Sequence, residues 1–232
     1  MNSTIEKLDM IKTIIRYTLN SAAVLIVGVI QSYFLIIPNQ KELSALFLAM
    51  LLLILSEIVF RLLQFIIDNS RIIRRLILTN QYFEGVWLDR VEFGNNFIQY
   101  GIIEISYNKG VYHVLGQSYS PEGKPLGNWE SSASWASNKK LRYIHKSNFE
   151  SPLIQDFDGI TEIFFLCAGS TYPNTYNGTY IDICPNPHKN RFIGERINKL
   201  DFKKLKTVDG RTNFIKDKHL LMSSIIKKVD GV

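Results

Sequence analysis

The sequence has little of what most catalytic and metal-binding proteins need. Its four histidines are scattered, and there is no His-Glu-x-x-His motif, paired-cysteine knuckle or acidic calcium loop. A Walker loop, a Gly-x-Ser-x-Gly elbow and a Gly-x-Gly-x-x-Gly fingerprint are also missing. These absences argue against an enzyme, a metal site and a cofactor. Cys167 and Cys184 are too few for a disulfide scaffold, and we predict that both are buried thiols.

The middle of the chain has almost no net charge. The net charge is +6, but the excess of Lys and Arg lies in residues 1–80 and 201–232, whereas residues 81–200 are nearly neutral. A neutral central region excludes a surface that coats a DNA or RNA polymer. Hydrophobic residues make up 46% of the chain, which excludes a disordered protein and permits a sizeable core.

Two long apolar runs occupy the N-terminal third. Tyr17–Ile37 contains no charged residue and is long enough, at about 1.5 Å per residue, to span a hydrocarbon core of roughly 30 Å. A second run, Leu43–Ile67, follows after the short connection 38–42, which permits only an antiparallel helical hairpin. A cleaved signal peptide is the competing interpretation of the first run, although its apolar part would be only about 7–15 residues long.

Basic residues flank the outer ends of both predicted spans. Lys7, Lys12 and Arg16 precede or open the first span, and an arginine cluster follows the second, whereas the connection carries only Lys41. The positive-inside bias therefore predicts that both termini are cytoplasmic. Beyond the second span the helical period continues through the arginine cluster, which predicts a basic amphipathic stalk.

Three residues of the spans are candidates for a role in the membrane. Glu57 and Arg61 lie four residues apart and share a helix face, and an ionisable pair inside a membrane is a functional candidate. The alternative is that both lie near the cytoplasmic end and extend into the headgroups. Gly28 and its small neighbours permit close approach of helices. We expect these three residues to contribute to oligomerisation.

After Asn80 the pattern changes to short β-rich runs separated by turn residues. No helical pattern interrupts these runs, which excludes parallel crossover units and predicts an all-β antiparallel, eight-stranded up-and-down barrel, with a β-sandwich as the alternative. The predicted strands are 85–93, 97–107, 111–119, 127–136, 141–147, 160–168, 178–184 and 191–197. The predicted domains are a two-helix hairpin with its stalk (1–80), a barrel (81–200) and a basic helix or tail (201–232).

The strand pattern also predicts a polar pocket inside the barrel. Alternation places Trp129, Ser131 and Trp135 on one face, which we expect to point inward, with Tyr143 and His145 inward on the next strand. Hydroxyl groups in such an interior favour a ligand site, because buried polar groups destabilise a core unless they are paired. Aromatic rings there would stack on bases, and the alternative is that they fill the barrel core.

Short motifs and the overall architecture together carry a family resemblance. The motifs are Gly85-Val86-Trp87, Gly116-Gln117-Ser118-Tyr119, Gly127-Asn128-Trp129-Glu130-Ser131 and Leu141-Arg142-Tyr143. With two N-terminal spans before them, the chain resembles the two-transmembrane, β-strand-rich effectors of bacterial CBASS anti-phage defence. The resemblance implies a lipocalin-like barrel that binds a cyclic dinucleotide, after which the protein self-associates and disrupts the bacterial inner membrane. It also implies a structural plug in which Arg196 covers Trp87.

We therefore predict a cyclic-dinucleotide site at the barrel mouth, built from the third to fifth strands and the loop 170–177. Trp129 and Tyr143 would stack on bases, and Arg142 would contact phosphate if it lies at the mouth. The full predicted ligand set is Ser118, Tyr119, Trp129, Ser131, Arg142, Tyr143, Tyr172 and Tyr176. The other expected partners are the lipid bilayer and further copies of the chain. The alternatives are a barrel that binds a lipid or other metabolite, an anchored enzyme and a scaffold.

Overall fold

The computed structural model describes residues 4–34, 41–93, 98–108, 110–149, 158–183 and 189–229. It divides the chain into two compact units, residues 2–78 and residues 79–232. The first unit is helical, and the second is a β-barrel followed by two helices. Cys167 is a half-buried free thiol and not a fully buried one, because it lies just beyond the end of a strand, and Cys184 lies outside the described residues.

The helical unit contains two long helices and one short one. They are α1 (Thr4–Phe34), α2 (Lys41–Asn69) and α3 (Arg71–Leu78). Within α1 and α2, the segments Lys7–Val29 and Ala49–Asn69 are long and apolar enough to cross a membrane. Most of the predicted connection, residues 38–40, lies outside the described residues.

Polar contacts join α1 to α2 along one face. The Lys12 ammonium lies 2.8 Å from Asp68, and one turn further on Arg16 lies 3.3 Å from Glu57. The hydroxyl of Ser56 donates to the side-chain oxygen of Asn20, at 3.1 Å. Because contacts near the start of α1 reach the end of α2, the two helices are antiparallel. Polar pairs of this kind hold helices together where the surroundings are apolar.

The predicted stalk is a separate short helix and not a continuation of α2. Ser70 interrupts the helix, and its hydroxyl oxygen accepts a hydrogen bond from the backbone N–H of Ile73, as an N-cap would. Arg74 is buried, and its guanidinium donates to the carbonyls of Ile67 and Asp68. These bonds satisfy carbonyls at the end of α2 that have no partner within the helix.

The second unit is a closed up-and-down barrel of eight antiparallel strands, as predicted, so the β-sandwich alternative is wrong. Each strand pairs with the next along the chain, and β8 closes the barrel on β1. Closure leaves no unpaired strand edge. The strands are β1 (Gly85–Glu92), β2 (Ile98–Asn108), β3 (Val111–Tyr119), β4 (Pro125–Ser137), β5 (Lys140–Phe149), β6 (Asp158–Leu166), β7 (Thr175–Asp182) and β8 (Lys189–Arg196).

A register shift in β4 overturns one sequence-based expectation. Ser131 pairs with His145 and Ala133 with Ile144, so Ser132 is an extra residue in the ladder. Such a bulge exchanges the inward and outward faces of the strand beyond it. Trp135 is consequently 55% exposed on the outer wall, where it was predicted to point inward.

Glycines opposite large rings make room inside this small barrel. Gly116 pairs with Trp129 across β3 and β4, and a methyl group at Gly116 would lie 2.1 Å from the indole. Gly194 likewise pairs with Tyr176 across β7 and β8, and a methyl group at Gly194 would lie 2.1 Å from the Tyr176 ring. The missing side chains let the rings lie flat against the opposing backbone.

The two C-terminal helices, α4 (Lys199–Lys204) and α5 (Val208–Val229), belong to the barrel unit. Phe214 and Ile215 of α5 form a buried cluster with Leu88, Tyr100 and Tyr119 of the barrel. The described part of residues 201–232 is thus a helix against the barrel, one of the alternatives left open by the sequence.

Candidate ligand cavity

A cavity of about 310 Å³ lies inside one end of the barrel, which we call the cavity end. Its volume is at the lower limit of the roughly 300–1,000 Å³ of small-molecule sites. The connections 94–97, 150–157 and 184–188 at this end lie outside the described residues. The lining residues are Asp89, Val91, Phe93, Gln99, Tyr100, Gly101, Ser118, Trp129, Tyr143, His145, Ser147, Thr161, Tyr180, Asp182 and Phe192.

The opposite end of the barrel, which we call the plug end, is filled. The guanidinium of Arg196 lies 4.3 Å from the Trp87 ring centre and donates to the carbonyls of Pro173, Glu84 and Tyr82 at 2.6–2.9 Å. Trp87 is fully buried, and its indole N–H donates to the carbonyl of Phe83 at 3.0 Å. The structure thus brings together the two residues that the family resemblance paired, in a contact that closes this end.

Two aromatic side chains form one wall of the cavity. The rings of Trp129 and Tyr143 are stacked, with centres 5.6 Å apart and planes 10° from parallel. Alternation along β4 and β5 directs both side chains inward, and Gly116 gives the indole its space. Burial raises the pKa of the Tyr143 hydroxyl well above its usual value, so this group stays protonated and can donate a hydrogen bond. Stacked rings of this kind offer a flat, apolar surface to a planar ligand.

A histidine and a threonine lie beside this wall. Nδ1 of His145 is 3.1 Å from the hydroxyl oxygen of Thr161 on the neighbouring strand. Burial lowers the pKa of His145 to about 4, so the ring is neutral at pH 7. Burial and the nearby Asp182 raise the pKa of Tyr180, which also remains protonated. The wall therefore presents neutral donors and acceptors.

A carboxyl group forms the innermost polar part of the cavity. Asp89 is only 7% exposed, and Oδ1 accepts a hydrogen bond from the hydroxyl of Tyr176. Burial raises the pKa of this carboxyl well above its usual value. Gly101 lies opposite on β2, and a methyl group there would lie 3.1 Å from the Asp89 Cβ and 3.5 Å from Oδ2. Because Tyr176 also packs on Trp87, its ring separates the cavity from the plug end.

The described lining carries acidic and neutral groups but no Lys or Arg. Asp89 and Asp182 are its carboxyls, and His145 is its imidazole. An anionic group inside the cavity would meet no opposite charge among these residues, which is unfavourable in a buried site. The cavity itself therefore suits a neutral, hydrogen-bonding or planar group.

Three of the predicted ligand residues line the cavity: Ser118, Trp129 and Tyr143. Ser131 does not, because its hydroxyl oxygen accepts a hydrogen bond from the backbone N–H of Val114 at 2.9 Å and so belongs to the barrel wall beside the bulge. Tyr119 points to the outer wall, where α5 covers it.

The predicted phosphate contact lies elsewhere. Arg142 is exposed on the outer face of β5 and forms an ion pair with Glu162. The strand alternates, so with Tyr143 directed inward Arg142 must point outward. The structure thus corrects the expectation that Arg142 would reach the mouth of the cavity.

The loop that was predicted to close over the ligand lies at the plug end of the barrel and not at the cavity end. Residues 167–174 connect β6 to β7 at the plug end, where Pro173 accepts from Arg196. Tyr172 lies in this loop, so it cannot close over the cavity. Tyr176 is buried in the plug, and only its hydroxyl reaches toward the cavity, through Asp89.

Sequence reasoning missed three polar residues of the cavity lining: Asp89, Tyr180 and Asp182. From the predicted inward position of Trp87, alternation along β1 gives Asp89 as the next inward residue, so a signal was present. Tyr180 and Asp182 follow in the same way from β7. A carboxyl inside a small barrel is unusual enough to mark a site.

The residues singled out in the helical unit have defined surroundings. Glu57 accepts hydrogen bonds from Arg61 on the same helix, at 3.1 Å, and from Arg16 of α1, at 3.3 Å. A methyl group added at Gly28 would meet no described atom within 4 Å. Glu57 is therefore engaged within the hairpin, whereas Gly28 faces away from α2.

Comparison with known proteins assigns no family. No protein-family model and no curated protein matches the chain. Among the residues described by the structure, no three His, Cys, Asp or Glu side chains group in a way that would hold a metal ion. Of the architecture that the sequence resemblance implied, the structure shows two apolar N-terminal helices and a closed eight-stranded antiparallel barrel.

Proposed function

We propose that the protein is a membrane-anchored sensor and effector of bacterial antiviral defence. Its barrel binds a cyclic dinucleotide, and binding drives self-association and disruption of the inner membrane by the helical hairpin. Both termini are cytoplasmic, and the chain catalyses no reaction. The observation that carries this proposal is the cavity lined by the Trp129–Tyr143 stack in a barrel that follows two membrane-length helices.

The cavity chemistry supports a ligand that contains a base. Bases stack on aromatic rings with a gain of about 1–3 kcal/mol each. Ser118, Thr161 and Gln99 supply neutral groups that can hydrogen-bond to base edges or ribose. A barrel filled for stability alone would not combine these groups around an empty volume of this size.

The N-terminal unit supports an anchor that faces the cytoplasm. Its two apolar segments match the thickness of a bilayer. Lys12 and Arg16 lie near the start of α1, and Arg71, Arg74 and Arg75 follow α2, so positive charge collects at one end of the antiparallel hairpin. A barrel in the cytoplasm is accessible to a nucleotide messenger that is made inside the cell.

A second function is favoured by the charge of the cavity. Because the described lining contains carboxyls and no Lys or Arg, it also suits a neutral or cationic metabolite that would bind without phosphates. In that case the protein would be an anchored barrel that binds such a metabolite.

Thermal unfolding of the full chain in detergent separates the two functions. We expect cyclic di-GMP, cyclic di-AMP or cyclic di-UMP to raise the melting temperature, because a ligand at 100 times its Kd adds about 2.7 kcal/mol of stability. The linear mononucleotides are the controls, and a neutral fatty alcohol probes the second function. If no cyclic dinucleotide raises the melting temperature while the fatty alcohol does, the second function replaces the first.

A further inference from the structure

We infer that Asp89 is the hydrogen-bond partner of a base that enters the cavity, and that the phosphates of the ligand stay outside it. This inference rests on the proposed function and specifies how the same site recognises its ligand. It assigns base selection to a residue that no sequence motif marks.

The position of Asp89 supports the assignment. The carboxyl is buried at the inner side of the cavity, and Oδ1 is held by the hydroxyl of Tyr176. Gly101 lies across from it, and its missing side chain gives room to the Asp89 side chain, which lines the cavity. The carboxyl is therefore fixed in orientation and accessible only to a group that has entered.

The stacked rings and the carboxyl fit a single base. Trp129, Tyr143 and Asp89 line the same cavity, so a base that lies on either ring shares that cavity with the carboxyl. Base edges carry N–H donors, and a carboxyl oxygen accepts them well. A volume of about 310 Å³ is small for a whole cyclic dinucleotide, so we place one base in it.

Charge argues that the phosphates remain outside. A phosphate brought into the cavity would approach Asp89 and Asp182 and meet no cation among the described lining residues. Exposed lysines do occur at the strand ends around the cavity end: Lys124, Lys146 and Lys189. Phosphates near these side chains would keep their water and gain favourable charge interactions.

The test measures ligand affinity of the full-length protein in detergent. The probes are the three cyclic dinucleotides named above and the nucleosides guanosine, adenosine and uridine, which lack phosphate. Binding is followed through tryptophan fluorescence in a Trp135→Phe background, in which Trp129 lines the cavity and Trp87 lies in the plug. We expect Asp89→Asn to weaken both the best cyclic dinucleotide and its nucleoside by about 10- to 100-fold, because a buried donor on the base would lose its carboxyl acceptor.

Two further variants distinguish a loss of binding from a folding defect. Gly101→Ala narrows the space beside Oδ2 without removing the carboxyl, and we expect it to weaken the same ligands. Arg142→Ala, on the outer face, is the matched control that should leave affinity unchanged. Wild-type affinity in Asp89→Asn, or a loss confined to the cyclic dinucleotide, overturns the inference. Absence of cyclic-dinucleotide binding to the wild type overturns instead the proposed function.

Discussion

The guanidinium of Arg196 lies 4.3 Å from the ring centre of Trp87, and the two residues are directly paired across β8 and β1. This contact joins the last strand to the first at the point where the barrel closes. The same guanidinium holds three backbone carbonyls, so one side chain fixes both the ring and the chain segment that enters β1. It closes one end of the barrel and leaves the other end for a ligand.

Trp87→Ala is expected to lower the free energy of unfolding by about 3–5 kcal/mol, as for a large aromatic residue removed from a core. Arg196→Ala should lower the free energy of unfolding by at least about 1.5 kcal/mol, because buried carbonyls lose a charged hydrogen-bond donor. Denaturant unfolding of the full chain measures both. Arg142→Ala is the control, since an exposed ion pair contributes less than about 1 kcal/mol. Equal stability of Arg196→Ala and Arg142→Ala would remove the structural role of the plug.

The strand order could be predicted because turn residues separate nearly all of the runs and no helical pattern interrupts them. Closure into a barrel, as against a β-sandwich, does not follow from the sequence and is shown by the pairing of β8 with β1. The inward faces could be predicted only as far as the alternation is unbroken. In β4 the bulge at Ser131–Ala133 reverses the alternation, and nothing in the run of small residues there marks which residue is extra. Trp135 was therefore assigned to the wrong face.

The end to which a loop belongs follows from counting strands. β1 runs toward the cavity end, so β6, an even-numbered strand of an up-and-down barrel, runs toward the plug end. The loop that contains Tyr172 must then lie beside Trp87 and away from Trp129. Applied to the sequence, this count would have placed the loop correctly. The outward direction of Arg142 follows from alternation with Tyr143, whereas the depth of Asp89 along the barrel depends on register, which the sequence leaves open.

Gly116→Ala is expected to displace Trp129 and weaken ligand binding by at least about 5-fold, the lower limit for loss of one stacking ring. The added methyl group would lie 2.1 Å from the indole, so the ring must move. Indole N–H signals in NMR spectra, which separate Trp129 from Trp87 and Trp135, and calorimetry with cyclic di-GMP, cyclic di-AMP and cyclic di-UMP report the two effects. Gly194→Ala crowds Tyr176 at the plug to the same degree and should leave the Trp129 environment unchanged. An unshifted Trp129 signal in Gly116→Ala would contradict the proposed packing.

His145 should make the barrel sensitive to acid. Its pKa is about 4 in the folded protein and about 6.5 when unfolded, so between these values the unfolded chain binds a proton that the folded chain does not. The free energy of unfolding therefore falls as pH drops from about 6.5 to 4, by up to about 3 kcal/mol. Unfolding measured across this range in His145→Gln should lose this component, whereas exposed His113→Gln should keep it. Identical profiles in both variants would exclude His145 as the source.

Titration of Asp89 should change the stability of the barrel with pH in the opposite direction to titration of His145. Its pKa is raised in the folded protein, so as pH rises above about 3.8 the unfolded chain releases a proton that the folded chain retains. Stability contributed by this carboxyl is thus complete at low pH and declines as pH rises toward its folded pKa. We expect Asp89→Asn to unfold at a higher temperature than the wild type at pH 7, in contrast to Asp217→Asn on the exposed face of α5. A lower melting temperature for Asp89→Asn would mean that its hydrogen bond with Tyr176 outweighs the cost of burying the charge.

The membrane prediction concerns Gly28, which faces away from the partner helix of its own hairpin. Because no described atom lies within 4 Å of an added methyl group, Gly28→Leu should leave the hairpin intact and alter only contacts with another molecule. Glu57→Leu differs, because it leaves Arg16 and Arg61 without their carboxylate partner and should loosen the hairpin itself.

Dye release from loaded vesicles, measured with and without the three cyclic dinucleotides, separates these effects. We expect ligand-dependent leakage to fall in Gly28→Leu with unchanged helix content, and leakage in Glu57→Leu to become independent of ligand. If both variants release dye as the wild type does, neither self-association through Gly28 nor the charged contacts of Glu57 control the membrane step.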